Sequence, residues 1–206
     1  MSSEQPPIYL VTPEDADPAE LVPLLEAALD TGVVACVRLS LASGDEEVWK
    51  RAADRVRAVT EPRDVALIVR DHFRLARAEA LDGVHLSDGR VPLRRVRGEL
   101  GPDRIIGGFG GPERHQGMVL AEAGADYVSL GPVGDAGALG DGTLAGRELF
   151  EWWSEMIETP VVAEGGVTLE HAAALKGLAD FIVPDPAVWQ EPDFAAAVKA
   201  YAEAFT

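Results

Sequence analysis

The chain has 206 residues, 47% of them apolar and 26% charged, which suffices for a sizeable core and fits one domain spanning 1–206. With 21 Gly, 14 Pro and a single cysteine, Cys36, the composition excludes a disordered chain, a collagen-like repeat and a disulfide scaffold. The 35 acids against 18 bases leave a net charge of −17, a sign that repels phosphate backbones and argues against nucleic acid as a partner.

No apolar run approaches the roughly 18 residues of a membrane span. The opening MSSEQPP carries neither the basic nor the apolar region of a signal peptide. A cytoplasmic globule with no membrane partner is the expectation. The one basic cluster, Arg94, Arg95, Arg97 and Arg104, is flanked by acidic stretches and reads as solvated bases on one helix.

Along the chain, short β-rich runs alternate with helical patterns. The runs are IYLVT (8–12), VACVRLS (34–40), VALIVR (65–70), GVHLS (83–87), RIIGGF (104–109), YVSLGPV (127–133), PVVAEGG (160–166) and FIVPD (181–185). The helical patterns lie near 18–31, 45–60, 72–81, 91–100, 112–123, 146–158, 168–178 and 192–204. Asp17 before Pro18, and Thr168 before Leu169, mark helix starts. Gly32, Gly83, Gly124 and Gly177 mark helix stops. In LFEWWSEMI (149–157), Leu149, Phe150, Trp153, Met156 and Ile157 form one stripe at helical spacing, with Trp152 at its edge. Eight such repeats predict an α/β fold, a single (β/α)8 TIM barrel near its lower length limit. No G-x-G-x-x-G follows the first strand, which disfavours a doubly wound sheet.

In such a barrel the site lies at the carboxyl ends of the strands. Cys36, Arg38 and Ser40 share one face of the second strand by two-residue alternation. Gly165 and Gly166 end the seventh strand just before a helix start, where exposed amides form an anion site. The alternative is a tight turn and nothing more. Asp71 and Asp88 end neighbouring strands, placed either to share a hard cation such as Mg2+ or to cap helices. His85 reads as a satisfied buried histidine. His115 follows the glycine loop after the fifth strand and is the nearer candidate for acid–base work.

These segments resemble a family. LDGVHLSD (81–88), RIIGGFGG (104–111), AGADYVSLGPV (123–133), PVVAEGGV (160–167) and ADFIVPDPAVW (179–189), with IYLVTP at the start, resemble the thiamine phosphate synthases and thiazole tautomerases over nearly the whole chain. The resemblance implies a (β/α)8 barrel that joins an aminopyrimidine diphosphate to a thiazole phosphate and releases pyrophosphate with Mg2+. It implies a small phosphorylated ligand held by Gly165, Gly166 and the turn at Asp185 and Pro186. Arg38, with Arg70 beside it, falls on the diphosphate side. Asp71 matches the family's metal aspartate, with Asp88 near the second. The candidate catalytic residues are then Arg38, Asp71 and His115, and a homo-oligomer is left open.

The departures from the family pattern are specific. The strand-2 positions for glutamine and lysine hold Cys36 and Ser40. The asparagine and acid flanking Asp71 are Arg70 and His72, and the second metal aspartate falls at Arg90. The strand-5 serine and histidine are Phe109 and Gly111. GDAGALGDGT (134–143) has no base, and Asp135, Asp141 and Glu164 add acids at the rim. A diphosphate leaving group needs cations to offset its developing charge, whereas a cradle of amides survives such changes. The expectation is a synthase-like barrel with reduced or altered transfer activity. A non-catalytic binding barrel, or a tautomerase-like isomerase using His115, is the alternative.

Overall fold

The computed structural model describes residues 6–135 and 142–206; Asp141 and the middle of GDAGALGDGT lie outside them. Eight strands pair in parallel in chain order and close, β8 onto β1, giving the expected (β/α)8 barrel. They are β1 Ile8–Val11, β2 Val34–Leu39, β3 Ala66–Arg70, β4 Gly83–Leu86, β5 Ile105–Gly111, β6 Tyr127–Leu130, β7 Val161–Val167 and β8 Phe181–Pro184. The helices between and after them are α1 Pro18–Leu29, α2 Glu46–Thr60, α3 Phe73–Ala78, α4 Leu93–Leu100, α5 Arg114–Glu122, α6 Arg147–Met156, α7 Leu169–Ala174 and α8 Phe194–Phe205. None of them is long and apolar enough to cross a membrane.

The helix starts follow from short oxygen-bearing side chains that take up orphan amides. Asp17 accepts from the Ala19 amide at 2.8 Å, Asp45 from Glu47 at 2.9 Å and Asp193 from Ala196 at 3.0 Å. Thr168 and His171 form a reciprocal capping box at α7. At the opposite end of the barrel a second device repeats. Asp82, Asp126 and Asp180 sit just before β4, β6 and β8, and each accepts the amide of Leu67, Ile106 or Val161 on the preceding strand at 2.6–2.8 Å.

Strand alternation sorts the core into two bodies. Outward residues such as Val37, Leu39, Val84, Ile106, Val128 and Leu130 pack under the helices with Trp49, Phe150 and Trp153. Inward residues Tyr9, Cys36, Ile68, Tyr127, Val162 and Val183 fill the lumen. Gly107 lies opposite Tyr127 in the β5–β6 register, and a Cβ there would strike the tyrosine ring at 2.0 Å. The missing side chain on β5 is the space the ring occupies.

Four sequence expectations need correction. Gly83 opens β4 instead of stopping a helix; α3 ends at Ala78 and Ala80 takes the left-handed turn at φ 53. Gly83 is small because a Cβ would meet the Ile105 carbonyl oxygen at 2.0 Å. Met156 is 63% exposed at the last turn of α6, so the buried stripe is Leu149, Phe150 and Trp153. The arginine cluster is not simply solvated either. Arg97 pairs with Asp126 at 2.6 Å and donates to the Arg104 carbonyl at 2.6 Å, while Arg104 lies in the turn before β5. β6 stops at Leu130, short of 133, because Gly131–Pro132 follows and proline has no amide to extend the ladder.

Candidate active site

The alternation that buries Cys36 carries Arg38 and Ser40 upward on the same face, into a cavity of about 510 Å3 at the barrel mouth. Arg38, Glu164 and His85 belong to its buried lining, with Arg70, Ser87, Thr12 and Glu14 contributing further polar groups. Val11, Phe109, Val183 and Trp189 supply apolar wall. Trp189 is held in place by donating its indole N–H to the Val11 carbonyl at 3.0 Å.

Arg38 and Glu164 form a two-pronged ion pair across the barrel, Nη1 to Oε2 at 3.0 Å and Nη2 to Oε1 at 3.3 Å, with side chains 8% and 5% exposed. Burial opposes the arginine charge most, but the Glu164 carboxylate together with Tyr9 and Tyr127 offsets it, and the Arg38 pKa is raised. Below the pair, His85 Nδ1 lies 2.8 Å from the Tyr127 hydroxyl, which lies 2.7 Å from the Tyr9 hydroxyl. Burial, then Arg38 and Arg70, hold the His85 pKa well below its usual value, so the ring is neutral. Burial likewise pushes the Cys36 thiol up to about 12.

Gly165 and Gly166 line the cavity, and their φ values of 84° and 66° belong to the left-handed region that favours glycine. The turn is clamped from behind. Val133 and Gly134 donate their amides to the Gly165 carbonyl at 2.8 and 2.9 Å, and a Cβ on Gly166 would lie 2.7 Å from the Asp135 carbonyl oxygen. Pro186 lines the same cavity, while Asp185 caps the 3-10 turn Pro186–Gln190 by accepting the Ala187 amide at 2.8 Å.

The remaining candidates are engaged by other partners or lie outside the cavity wall. Arg70 lines the cavity but its guanidinium is paired with Glu14. Asp71 takes φ 59, and its carboxylate accepts the Ser87 amide at 2.8 Å and the Ser87 hydroxyl. It lines a separate depression together with His72, Arg74 and Arg95. Asp88 accepts the Arg90 amide at 2.8 Å and pairs with its guanidinium at 3.0 Å. His115 is exposed on α5 and is not part of the cavity wall. Arg114 stacks over the Trp152 ring at 4.5 Å.

Mg2+ takes an octahedron of oxygens, usually one or two carboxylates with substrate phosphate and water. Both Asp71 oxygens are engaged by Ser87, and Asp88 is engaged by Arg90. Among the described residues no group of three or more His, Cys, Asp or Glu side chains is placed to hold an ion. A carboxylate oxygen that accepts one hydrogen bond keeps a second lone pair, so Asp71 is the residue that would serve as the one carboxylate such an ion takes.

Sequence reasoning noted Glu164 only as an added acid at the rim. Its direction follows from alternation: Glu164 follows Val162 by two on β7, as Arg38 follows Cys36 by two on β2, so both point inward. Thr12 and Glu14 lie on the loop after β1 and Trp189 in the 3-10 turn after β8, where strand alternation gives no signal.

The profile of the family described as thiamine monophosphate synthase matches residues 8–182. The thiamine-phosphate synthase of Rhodospirillum centenum is 41% identical over 194 residues, covering 94% of each chain. That of Erythrobacter litoralis is 37% identical over 202 residues, covering 95% of this chain and 93% of the relative. Among solved structures, thiamine phosphate pyrophosphorylase from Pyrococcus furiosus superposes with a TM-score of 0.84 at 23% identity, covering 98% of this chain and 96% of the other, and shares the fold.

Proposed function

The chain belongs to the thiamine monophosphate synthase family, and we propose that its barrel binds a phosphorylated thiazole, or a related small phosphate, with the phosphate on the amides of Gly165 and Gly166. The observation that carries this is a single one: the two left-handed glycines and Pro186 share the wall of one cavity whose volume, about 510 Å3, suits a small ligand. Left-handed glycines present backbone N–H groups without a Cβ in the way, and a phosphate meets them with charge-assisted hydrogen bonds. Val11, Phe109, Val183 and Trp189 would shelter the ring from water.

Thiamine-phosphate synthases are transferases that generally depend on Mg2+. In this chain we read transfer as reduced or altered. A leaving diphosphate gathers negative charge that preorganised cations must offset. Among the described residues the cavity wall holds no lysine, and its two arginines are already paired, Arg38 with Glu164 and Arg70 with Glu14. The monophosphate side, resting on backbone, is untouched by those pairings.

Calorimetric titration of thiazole phosphate into the wild type and Gly166→Val tests the cradle. The valine would press on the Asp135 and Gly134 backbone and displace the turn. Binding is expected to weaken by about 1–2 kcal/mol, the scale of losing charge-assisted hydrogen bonds. Thermal unfolding of the free protein, run in parallel, separates that loss from a general loss of fold. A folded variant with unchanged affinity rejects the site.

A further inference from the structure

We propose that Tyr127 is a positioning residue: its hydroxyl donates to His85 Nδ1 and so fixes the buried histidine as the tautomer whose Nε2–H faces the cavity, a neutral hydrogen-bond donor to a ligand and not a base. This role is independent of the phosphate site.

Three inward side chains of neighbouring height make the arrangement. Tyr9 comes from β1, His85 from β4 and Tyr127 from β6, and the missing side chain of Gly107 leaves room for the Tyr127 ring. The Tyr9 hydroxyl lies 2.7 Å from that of Tyr127, which lies 2.8 Å from His85 Nδ1. Packing holds both contacts, since Tyr9 meets Tyr127 edge-on and the imidazole stacks on the Tyr127 ring at 5.8 Å. All three side chains are buried.

Counting protons then decides which group donates. Burial pushes both tyrosine hydroxyls above their ordinary range, so each keeps its single proton. The neutral imidazole also carries one. Two contacts use two protons. If Tyr9 donates to Tyr127 and Tyr127 donates to Nδ1, the hydroxyl protons fill both contacts and the ring proton stands on Nε2. The reverse order places the ring proton on Nδ1 and leaves the Tyr9 O–H aimed at nothing in the lumen, a buried donor without an acceptor. The partner of one ring nitrogen thus sets the state of the other.

The Nε2 end is open. Among the described residues the enclosed side-chain polar atoms without a partner are Arg38 Nε and Ser129 Oγ, and Nε2 is not one of them. His85 lines the cavity, so Nε2 is the atom it shows there. A protonated Nε2 takes no proton from a ligand. It serves a bare acceptor, an oxygen or a ring nitrogen, seated on the cavity floor.

Nitrogen NMR of the whole protein, with isotope-labelled histidine and in mildly alkaline buffer, reads the tautomer directly. His85→Gln identifies the His85 signals among those of His72, His115 and His171. In the wild type, His85 should show a pyridine-type Nδ1 and a pyrrole-type Nε2. In Tyr127→Phe, which keeps the ring, the Nδ1 resonance should leave its hydrogen-bonded position. In Tyr9→Phe the tautomer should persist and Nδ1 should move less, because Tyr127 still donates. A wild-type ring proton on Nδ1, or an unmoved Nδ1 in folded Tyr127→Phe, overturns the proposal. Should Tyr127→Phe fail to fold, the wild-type tautomer and the Tyr9→Phe comparison still decide. Saturation with thiazole phosphate should move the Nε2–H proton resonance, and a bound ligand that leaves it in place refutes the donor role. Failure of thiazole phosphate to bind would count against the glycine cradle, and the spectra of the free protein would still judge Tyr127.

Discussion

The two sides of the barrel mouth are built from different materials. On the β7–β8 side the candidate site is backbone: Gly165 and Gly166 in left-handed conformations, clamped by Val133 and Gly134, with Pro186 beside them. On the β2–β4 side it is side chains, Arg38, Arg70, Asp71 and Asp88, and each of them already has an internal partner in Glu164, Glu14, Ser87 or Arg90. The difference lies in how each side answers to substitution. A backbone cradle is indifferent to the side chains around it, so substitution leaves it standing. A side-chain site depends on the charges placed opposite it, as Glu164 is placed opposite Arg38.

The largest test of this contrast is on stability. Arg38→Met strands the Glu164 carboxylate in the lumen, and breaking one half of a buried pair costs about 3–5 kcal/mol. Arg38→Met combined with Glu164→Gln should recover most of that loss, because no unpaired charge remains. Chemical denaturation of the three proteins checks both statements. A single variant as stable as the wild type would mean that the pair is not buried as described.

A smaller effect comes from His85 on β4, buried beneath the cavity and hydrogen-bonded to Tyr127. Burial, then Arg38 and Arg70, lower its folded pKa below the ordinary value of about 6.5. Between the folded pKa and 6.5 the unfolded chain binds the proton and the folded chain does not. Stability from this group is therefore complete above about pH 6.5 and falls as pH drops, by up to ~1.4 kcal/mol per pH unit. His72 is lowered in the same direction, by burial first, so its share adds. His85→Gln should flatten the fall in stability as pH drops below about 6.5. An unchanged slope would show that His85 titrates normally.

Most of the barrel was legible because two periodicities carry it. Two-residue alternation placed Cys36 and Arg38 inward and Val37 and Leu39 outward, as found. Helix starts at Asp17 and Thr168 followed from capping chemistry. Element ends were harder, since Met156 sits where α6 leaves the barrel surface and periodicity no longer implies burial. At the site, sequence pointed to the right strands but not to the partners. That Asp71 turns onto Ser87, or that Glu164 reaches Arg38 across the lumen, depends on contacts 16 and 126 residues apart in the chain. Asp71, Asp88 and His115 stand at the expected strand and loop ends yet outside the cavity wall, because a strand end fixes a position and leaves the side chain's direction to its neighbours.

The most direct test of the contrast between the two sides is turnover. Purified protein mixed with aminopyrimidine diphosphate, thiazole phosphate and Mg2+ can be followed by release of pyrophosphate. Each missing donor to a developing charge costs roughly 10²–10³ in rate, so a cavity whose two arginines are held by its own carboxylates should turn over far below the ordinary enzyme range. Release at about 1 s⁻¹ or faster would contradict the account and would mean that Arg38 or Arg70 leaves its carboxylate to meet the diphosphate.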